Sequence, residues 1–231
     1  MKSRRAKISI AIILGIVATF FAVFIGLRVF VPAANVIPRP QALGIYDWFH
    51  NTDETVVTLI VDGQEFHVPR NYLFKRGTWK GGRVGYFTLH VLLPELAPYS
   101  AATRAEFDDR TSRNRMHIDI GARKNRLGLD EIYQGIRNSK FDEKRAQSDV
   151  PGMVMYASLI ATKENQYFKL ESGRVVYMLS CHPEGSAPNP LCRARFDKSN
   201  VVVEYDFSLV HLPHYLNIDK AVKSLLGDLT K

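Results

Sequence analysis

The sequence predicts an α+β protein: a mainly antiparallel β-sheet domain with a C-terminal amphipathic helix, preceded by one N-terminal transmembrane helix. Three observations carry this. Residues 8–27 form an apolar run without a charge. From about Tyr46 onward, short alternating segments are broken by Gly, Pro, Asn and Asp, without a βαβ rhythm or an internal repeat. Leu216, Ile218, Ala221, Val222, Leu225, Leu226 and Leu229 then form one apolar stripe at helical spacing. The 231 residues, 46% hydrophobic and 23% charged, suit one globular domain with an accessory segment and exclude a disordered, collagen-like or coiled-coil chain.

The leading run is interrupted only by Ser9, Gly15, Thr19 and Gly26. At about 1.5 Å per residue, a helix of that length crosses a bilayer core. Leu, Ile, Val and Phe supply 13 of its residues, on the order of −4 to −8 kcal/mol on an insertion scale. Lys2, Arg4, Arg5 and Lys7 precede it and only Arg28 follows closely. The positive-inside bias therefore places the N-terminus in the cytoplasm and the remainder across the membrane. A cleaved signal peptide is the competing reading, but the run exceeds the usual apolar length and Val31-Pro32-Ala33 carries proline before the cleavage point. No cysteine lies in the first 180 residues, which excludes a lipoprotein signal. Residues 8–31 are thus expected to be retained as an anchor in contact with the lipid bilayer. Pro32, Pro38 and Pro40 favour an extended stem over 32–45.

In the domain, 55–61 and 64–68 flank Asp62-Gly63, a dipeptide that closes a two-residue hairpin turn. The first of these strands is apolar on both faces and is expected to be central. Residues 84–93 and 116–120 alternate as half-buried strands. A second hairpin is expected from 153–161 and 166–170, followed by a strand at 175–181 and a segment at 193–207 that bends back near Lys198-Ser199-Asn200. Pro213 suits the first turn of the closing helix. Residues 99–150 read as charged and loop-rich, with Asp130 capping one short helix that carries Ile132, Tyr133 and Ile136.

The net charge of +8 does not indicate nucleic acid binding. Residues 1–31 contribute five cations and no acid, which leaves 26 bases against 23 acids in the other 200 residues, an ordinary balance. Cys181 and Cys192 bracket a loop with three prolines. Outside the cytoplasm they are expected to form a disulfide, worth about 3 kcal/mol in the chain-entropy model. A metal site at Cys181, His182 and Cys192 lacks a fourth ligand or a C-x-x-C pair. His67, His90 and His117 fall on polar strand faces, Asp119 beside His117, as solvent-facing histidines ordinarily do. His211 and His214 flank the helix entrance. No G-x-S-x-G, Walker A, H-E-x-x-H or G-x-G-x-x-G motif occurs, so no catalytic residue, metal ligand or cofactor is assigned.

Two segments are candidates for partner contact. The loop at 75–83 displays Trp79 among Lys75, Arg76, Lys80 and Arg83, and Trp and Arg are frequent interface anchors. Folding of Trp79 onto the sheet edge explains it equally well. The long connection at 99–150 presents Arg104, Arg110, Arg113 and Arg115.

The N-terminal anchor, the VDGQEFHVPRNYL hairpin, and the CHPEGSAPNPLCRARF loop followed by VVVEYDF and a closing helix together resemble small, anchored envelope proteins of Gram-negative bacteria. Most of these lack an assigned activity, and some resemble immunity partners of toxic effectors. The resemblance implies a single-pass protein of the bacterial inner membrane, with residues 1–7 as a cytoplasmic basic tail and 46–231 as a periplasmic domain that binds a protein. It transfers no functional residue. The alternatives are a scaffolding subunit of an envelope machine and a periplasmic hydrolase, the latter requiring the strand histidines to converge in a pocket.

Overall fold

The computed structural model describes residues 50–138, 141–143, 150–158 and 164–231. The basic tail, the expected anchor at 8–31 and the stem lie outside them. Among the described residues no helix is long and apolar enough to cross a membrane. The described residues form one compact unit.

The Asp62-Gly63 turn joins Val56–Val61 (β1) to Gln64–Pro69 (β2), both turn residues having positive φ, 48° and 87°. Gly82–Arg83 (β3) adds a short parallel pairing on the other side of β1, giving a three-stranded sheet in the order β2-β1-β3. This approach needs glycine at 81, whose φ is +70° and where a Cβ would lie 2.7 Å from the Thr58 carbonyl oxygen. β1 is central, as the sequence predicts, yet only Val57, Leu59 and Val61 are buried, and Val56 on the opposite face is 55% exposed.

The remaining strands are Tyr86–Leu92 (β4), Arg115–Ala122 (β5), Phe141–Glu143 (β6), Val154–Ser158 (β7), Asn165–Glu171 (β8), Arg174–Cys181 (β9), Leu191–Lys198 (β10) and Val201–Ser208 (β11). They form one antiparallel sheet in the order β4-β5-β11-β10-β9-β8-β7-β6. Its inner face is apolar across six strands: Phe87 and Leu89, Ile118 and Ile120, Val203 and Phe207, Ala194 and Phe196, Leu179, and Tyr167. The small sheet packs over this face, with Phe66 edge-on to Phe87 at 5.3 Å. Cys181 and Cys192 sit directly opposite each other in the same layer and are joined by a disulfide.

Among the described residues three helices complete the fold: Arg104–Asp108 (α1), Leu129–Arg137 (α2) and Tyr215–Asp228 (α3). Pro213 lies in a preceding 3-10 turn, Leu209–His214, and α3 itself starts at Tyr215. The buried stripe is Tyr215, Ile218, Val222, Leu226 and Leu229. Leu216, expected on it, is 53% exposed, because Tyr215 takes its place and donates its hydroxyl to the Pro151 carbonyl at 2.8 Å. The end of α3 is tied to the small sheet by the His67 N–H, which donates to the Leu229 carbonyl at 2.7 Å.

On the outer face, α2 caps a second cluster of Leu129, Tyr133, Tyr156, Phe168 and Val175. Val175 reaches it through a register shift between Lys169 and Leu170 that switches its face. Asp130 does not cap α2: its Oδ1 accepts the Val175 N–H at 2.8 Å. Glu131 instead accepts the Gly128 N–H at 2.7 Å, and the cap is Gly128, two residues before Asp130. The stretch expected to be loop-rich, 99–150, also holds α1 and β6, which are too short to leave a periodic signal.

These positions separate by experiment. Leu226→Ala removes a fully buried side chain and should cost about 2–5 kcal/mol in urea unfolding, whereas Leu216→Ala should change stability by less than about 0.5 kcal/mol. Equal effects would contradict the observed helix face.

Candidate functional site

The outer face of the large sheet is polar where α2 does not cover it. Register aligns His90, His117, Asp206, Arg193, Ser180 and Gln166 as one row across six strands, β4 to β8. At its β4 end, the His90 and His117 rings stack with centroids 4.2 Å apart. The Asp206 carboxylate lies 3.4 Å from His117 Nδ1 and accepts the His117 backbone N–H at 3.0 Å. His50, from the segment leading into β1, closes the group with its Nε2 2.8 Å from His90 Nδ1. One of these two nitrogens donates and the other accepts.

Aromatic rings enclose the imidazoles. Tyr99 stacks on His50 at 4.6 Å, Phe107 lies 5.1 Å from His50 and 4.8 Å from His90, and Phe74 lies 4.8 Å from His90 and 5.1 Å from His117. His90 is only 5% exposed, and the Nε2 atoms of His90 and His117 are buried without a hydrogen-bond partner. Burial, then the positive charges of His117, His50 and Arg115, pull His90 down to about 2. Burial also lowers His50, against a smaller upward pull from Asp108. For Asp206, burial works upward, but the hydrogen bonds and charge of His117, with Arg193 nearby, hold the carboxyl below its ordinary value.

Chemically this is a packed box. Stacked imidazoles point their lone pairs along near-parallel planes, unlike the convergent set a metal needs. Among the described residues no group of three or more His, Cys, Asp or Glu is arranged to hold a metal. No hydroxyl or thiol is bonded to His90 or His117 among the described residues, so no activated nucleophile accompanies them. The three strand histidines do not share a pocket: His67 lies on β2 of the other sheet, bonded to Thr58 Oγ1 at 3.2 Å. Asp119, expected beside His117, accepts from Thr88 Oγ1.

The partner-contact candidates fall around the box. Trp79 folds down against the core, its indole N–H donating to the Leu73 carbonyl at 3.3 Å, with the Arg76 guanidinium 5.9 Å above its ring. Lys75 is half-buried over the Tyr86 ring at 4.1 Å, while Arg76, Lys80 and Arg83 are exposed. In the second segment Arg104 pairs with Asp108 at 3.5 Å, and Arg110 and Arg113 are exposed. Arg115 serves the fold, donating to the carbonyls of Phe107 at 3.3 Å and Arg110 at 3.0 Å. Phe74 immediately precedes the first segment and Tyr99 and Phe107 belong to the second, so the box lies where both meet the edge strand β4.

His50, Phe74, Tyr99, Phe107 and Asp206 are not singled out by the sequence. The only signal was the placement of His90 and His117 on polar strand faces. A separate cleft of about 610 Å³ near the start of α2 contains no box residue. Two of its ion pairs are internal, Arg123 with Asp197 and Lys124 with Asp62, each at 3.4 Å, while Arg126 reaches Glu204 outside it.

What emerges is a β-rich α+β domain with two surface loops locked together at one sheet edge. Its fold is shared with an immunity protein of the Stenotrophomonas maltophilia type IV secretion system, with a TM-score of 0.57, 14% identity, and coverage of 76% of this chain and 93% of that one. It is also shared with the Neisseria meningitidis iron-regulated outer membrane lipoprotein FrpD, with a TM-score of 0.54, 12% identity, and coverage of 80% and 96%. No protein-family model and no curated protein sequence matches the chain. At these identities the likeness is one of fold, and at that level it agrees with the resemblance to immunity-type proteins.

Trp79 is a structural floor of the first loop. Trp79→Ala should lower stability by about 2 kcal/mol in urea unfolding, whereas Lys80→Ala should leave it within about 0.5 kcal/mol.

Proposed function

We propose that this chain is a protein-binding module of the immunity type, anchored in the bacterial inner membrane through residues 8–31 with its domain in the periplasm, where it occupies a toxic effector. The observation that carries this reading is a fold held in common with a secretion-system immunity protein, combined with the gathering of two cation-bearing loops at one edge. From residue 70 to 94 the chain has five Lys or Arg and no acid. Arg76, Lys80 and Arg83 stand exposed on this edge, beside Tyr86 at 49% exposure. Such a surface complements an acidic partner face and accelerates encounter with it. The second loop supplies Arg110 and Arg113 but also Glu106, Asp108 and Asp109, so the basic surplus lies in the first.

Photo-crosslinking in the full chain tests the surface. A crosslinker at Lys80 or at Arg113 should yield the same discrete protein adduct, and one at Lys220, exposed on α3, should not. Adducts from Lys220 with none from either loop would overturn the assignment, and equal adducts from all three would favour a scaffolding role. With the adduct identified, Lys80→Glu combined with Arg83→Glu should slow association about tenfold with little change in dissociation.

The topology is tested separately. Alkaline phosphatase fused behind Lys231 should be active, and deletion of residues 8–31 should release the protein from carbonate-washed membranes. A fusion that is active only as a cytosolic reporter would exclude the periplasmic placement.

A further inference from the structure

We propose that the imidazole box is an acid-released lock: at neutral pH it clamps the loops at 70–83 and 99–115 to β4, and proton uptake by its histidines frees them. That this would regulate partner binding rests on the reading above, whereas the lock itself does not.

The geometry makes the box a side-chain joint between three segments. His50 brings in the entry segment, Phe74 the chain entering the first loop and Phe107 the second loop, and these three meet on His90, while Tyr99 of the second loop stacks on His50. The first segment has further ties: Arg70 to Asp53 at 2.9 Å, the Phe74 N–H to the Thr88 carbonyl at 3.2 Å, and the Asn71 carbonyl, which accepts the Tyr99 N–H of the second loop at 3.2 Å.

The charged groups facing the box decide which protonation state it tolerates. From the second loop comes Asp108, which acts on His50; from β5 come Arg115 and His117; from β11 comes Asp206, which is committed to His117. Phe74 brings no charge. His90 thus has no bonded carboxylate, and its neighbours include the Arg115 guanidinium. A proton on His90 places a charge in a ring-lined site without a counterion. A second proton, on His50, turns both nitrogens of the 2.8 Å contact into donors.

In the opened chain imidazole titrates near 6.5, whereas the closed box holds His90 at about 2. The stabilisation by the neutral box is therefore complete above about pH 6.5 and declines as the pH falls, since only the open form takes up the proton readily. Each histidine released in this way multiplies the opening constant about tenfold per pH unit below that point.

Hydrogen exchange on the full chain, without partner, provides the test, with α3 as internal reference at each pH from 7.5 to 4.5. Exchange in 70–79 and 99–110 should rise together, relative to α3, by about tenfold per pH unit below about pH 6. His90→Phe keeps the ring packing without the titration and should flatten that slope. His90→Asn, whose amide can meet His50 Nε2 without titrating, gives the same reading should His90→Phe fail to fold. Loops that follow α3 at every pH, or that keep the full slope once His90 is replaced by a side chain that does not titrate, would overturn the lock. Because no partner is present, that failure would leave the binding reading standing, and a failed crosslink would leave the lock standing.

Discussion

Register in the large sheet is the constraint on which the rest depends. The inner face of β4, β5, β11, β10 and β9 is continuously apolar beneath the small sheet and α3, and a slip of one residue along any strand would bring its polar set into that layer. Once the apolar set is fixed inward, the outward set has no freedom of alignment. His90 must face His117, His117 must face Asp206, and Cys181 must face Cys192. The box and the disulfide are therefore consequences of core burial on the opposite or the same side of the sheet.

Much of this was legible locally. Alternation gives the correct face for 116–120 and 84–93, the Asp62-Gly63 turn gives the first hairpin, and Ser199-Asn200 marks the last one. What local pattern does not contain is neighbour identity. β5 pairs with β11, and the Asp206 that accepts from His117 is 89 residues away; His50 reaches His90 across 40 residues. β3 is two residues long and pairs through backbone at a glycine approach, so no side-chain period could reveal it. The displacement of Leu216 by Tyr215 has a similar origin: an aromatic ring with a polar tip can be buried when a carbonyl meets its hydroxyl, which a count of aliphatic residues does not anticipate.

The candidate site was legible in part for the same reason. Sequence placed cations and one tryptophan in two separate loops, and the structure divides them by task. Trp79 and Arg115 hold backbone carbonyls and ring packing, while Arg76, Lys80, Arg83, Arg110 and Arg113 face outward. An anchor-type residue inside a loop is thus no guide to whether it touches a partner, because the loop itself needs a floor.

The two ends of the outer face solve one problem with different chemistry. Beneath α2 the sheet is covered by Tyr133, Tyr156 and Phe168, whose rings meet edge-on at 5.0 to 6.0 Å. At the β4 end a layer of similar thickness is built from imidazoles, two of which leave a buried nitrogen unpaired. Phenyl rings would bury comparable apolar area without that cost. The imidazoles contribute what a phenyl ring lacks, a hydrogen bond between His50 and His90 and one between His117 and Asp206, and both depend on protonation state. The sheet therefore carries one cap of phenyl and phenol rings and one of imidazoles, and the imidazole cap is the one that meets the loops.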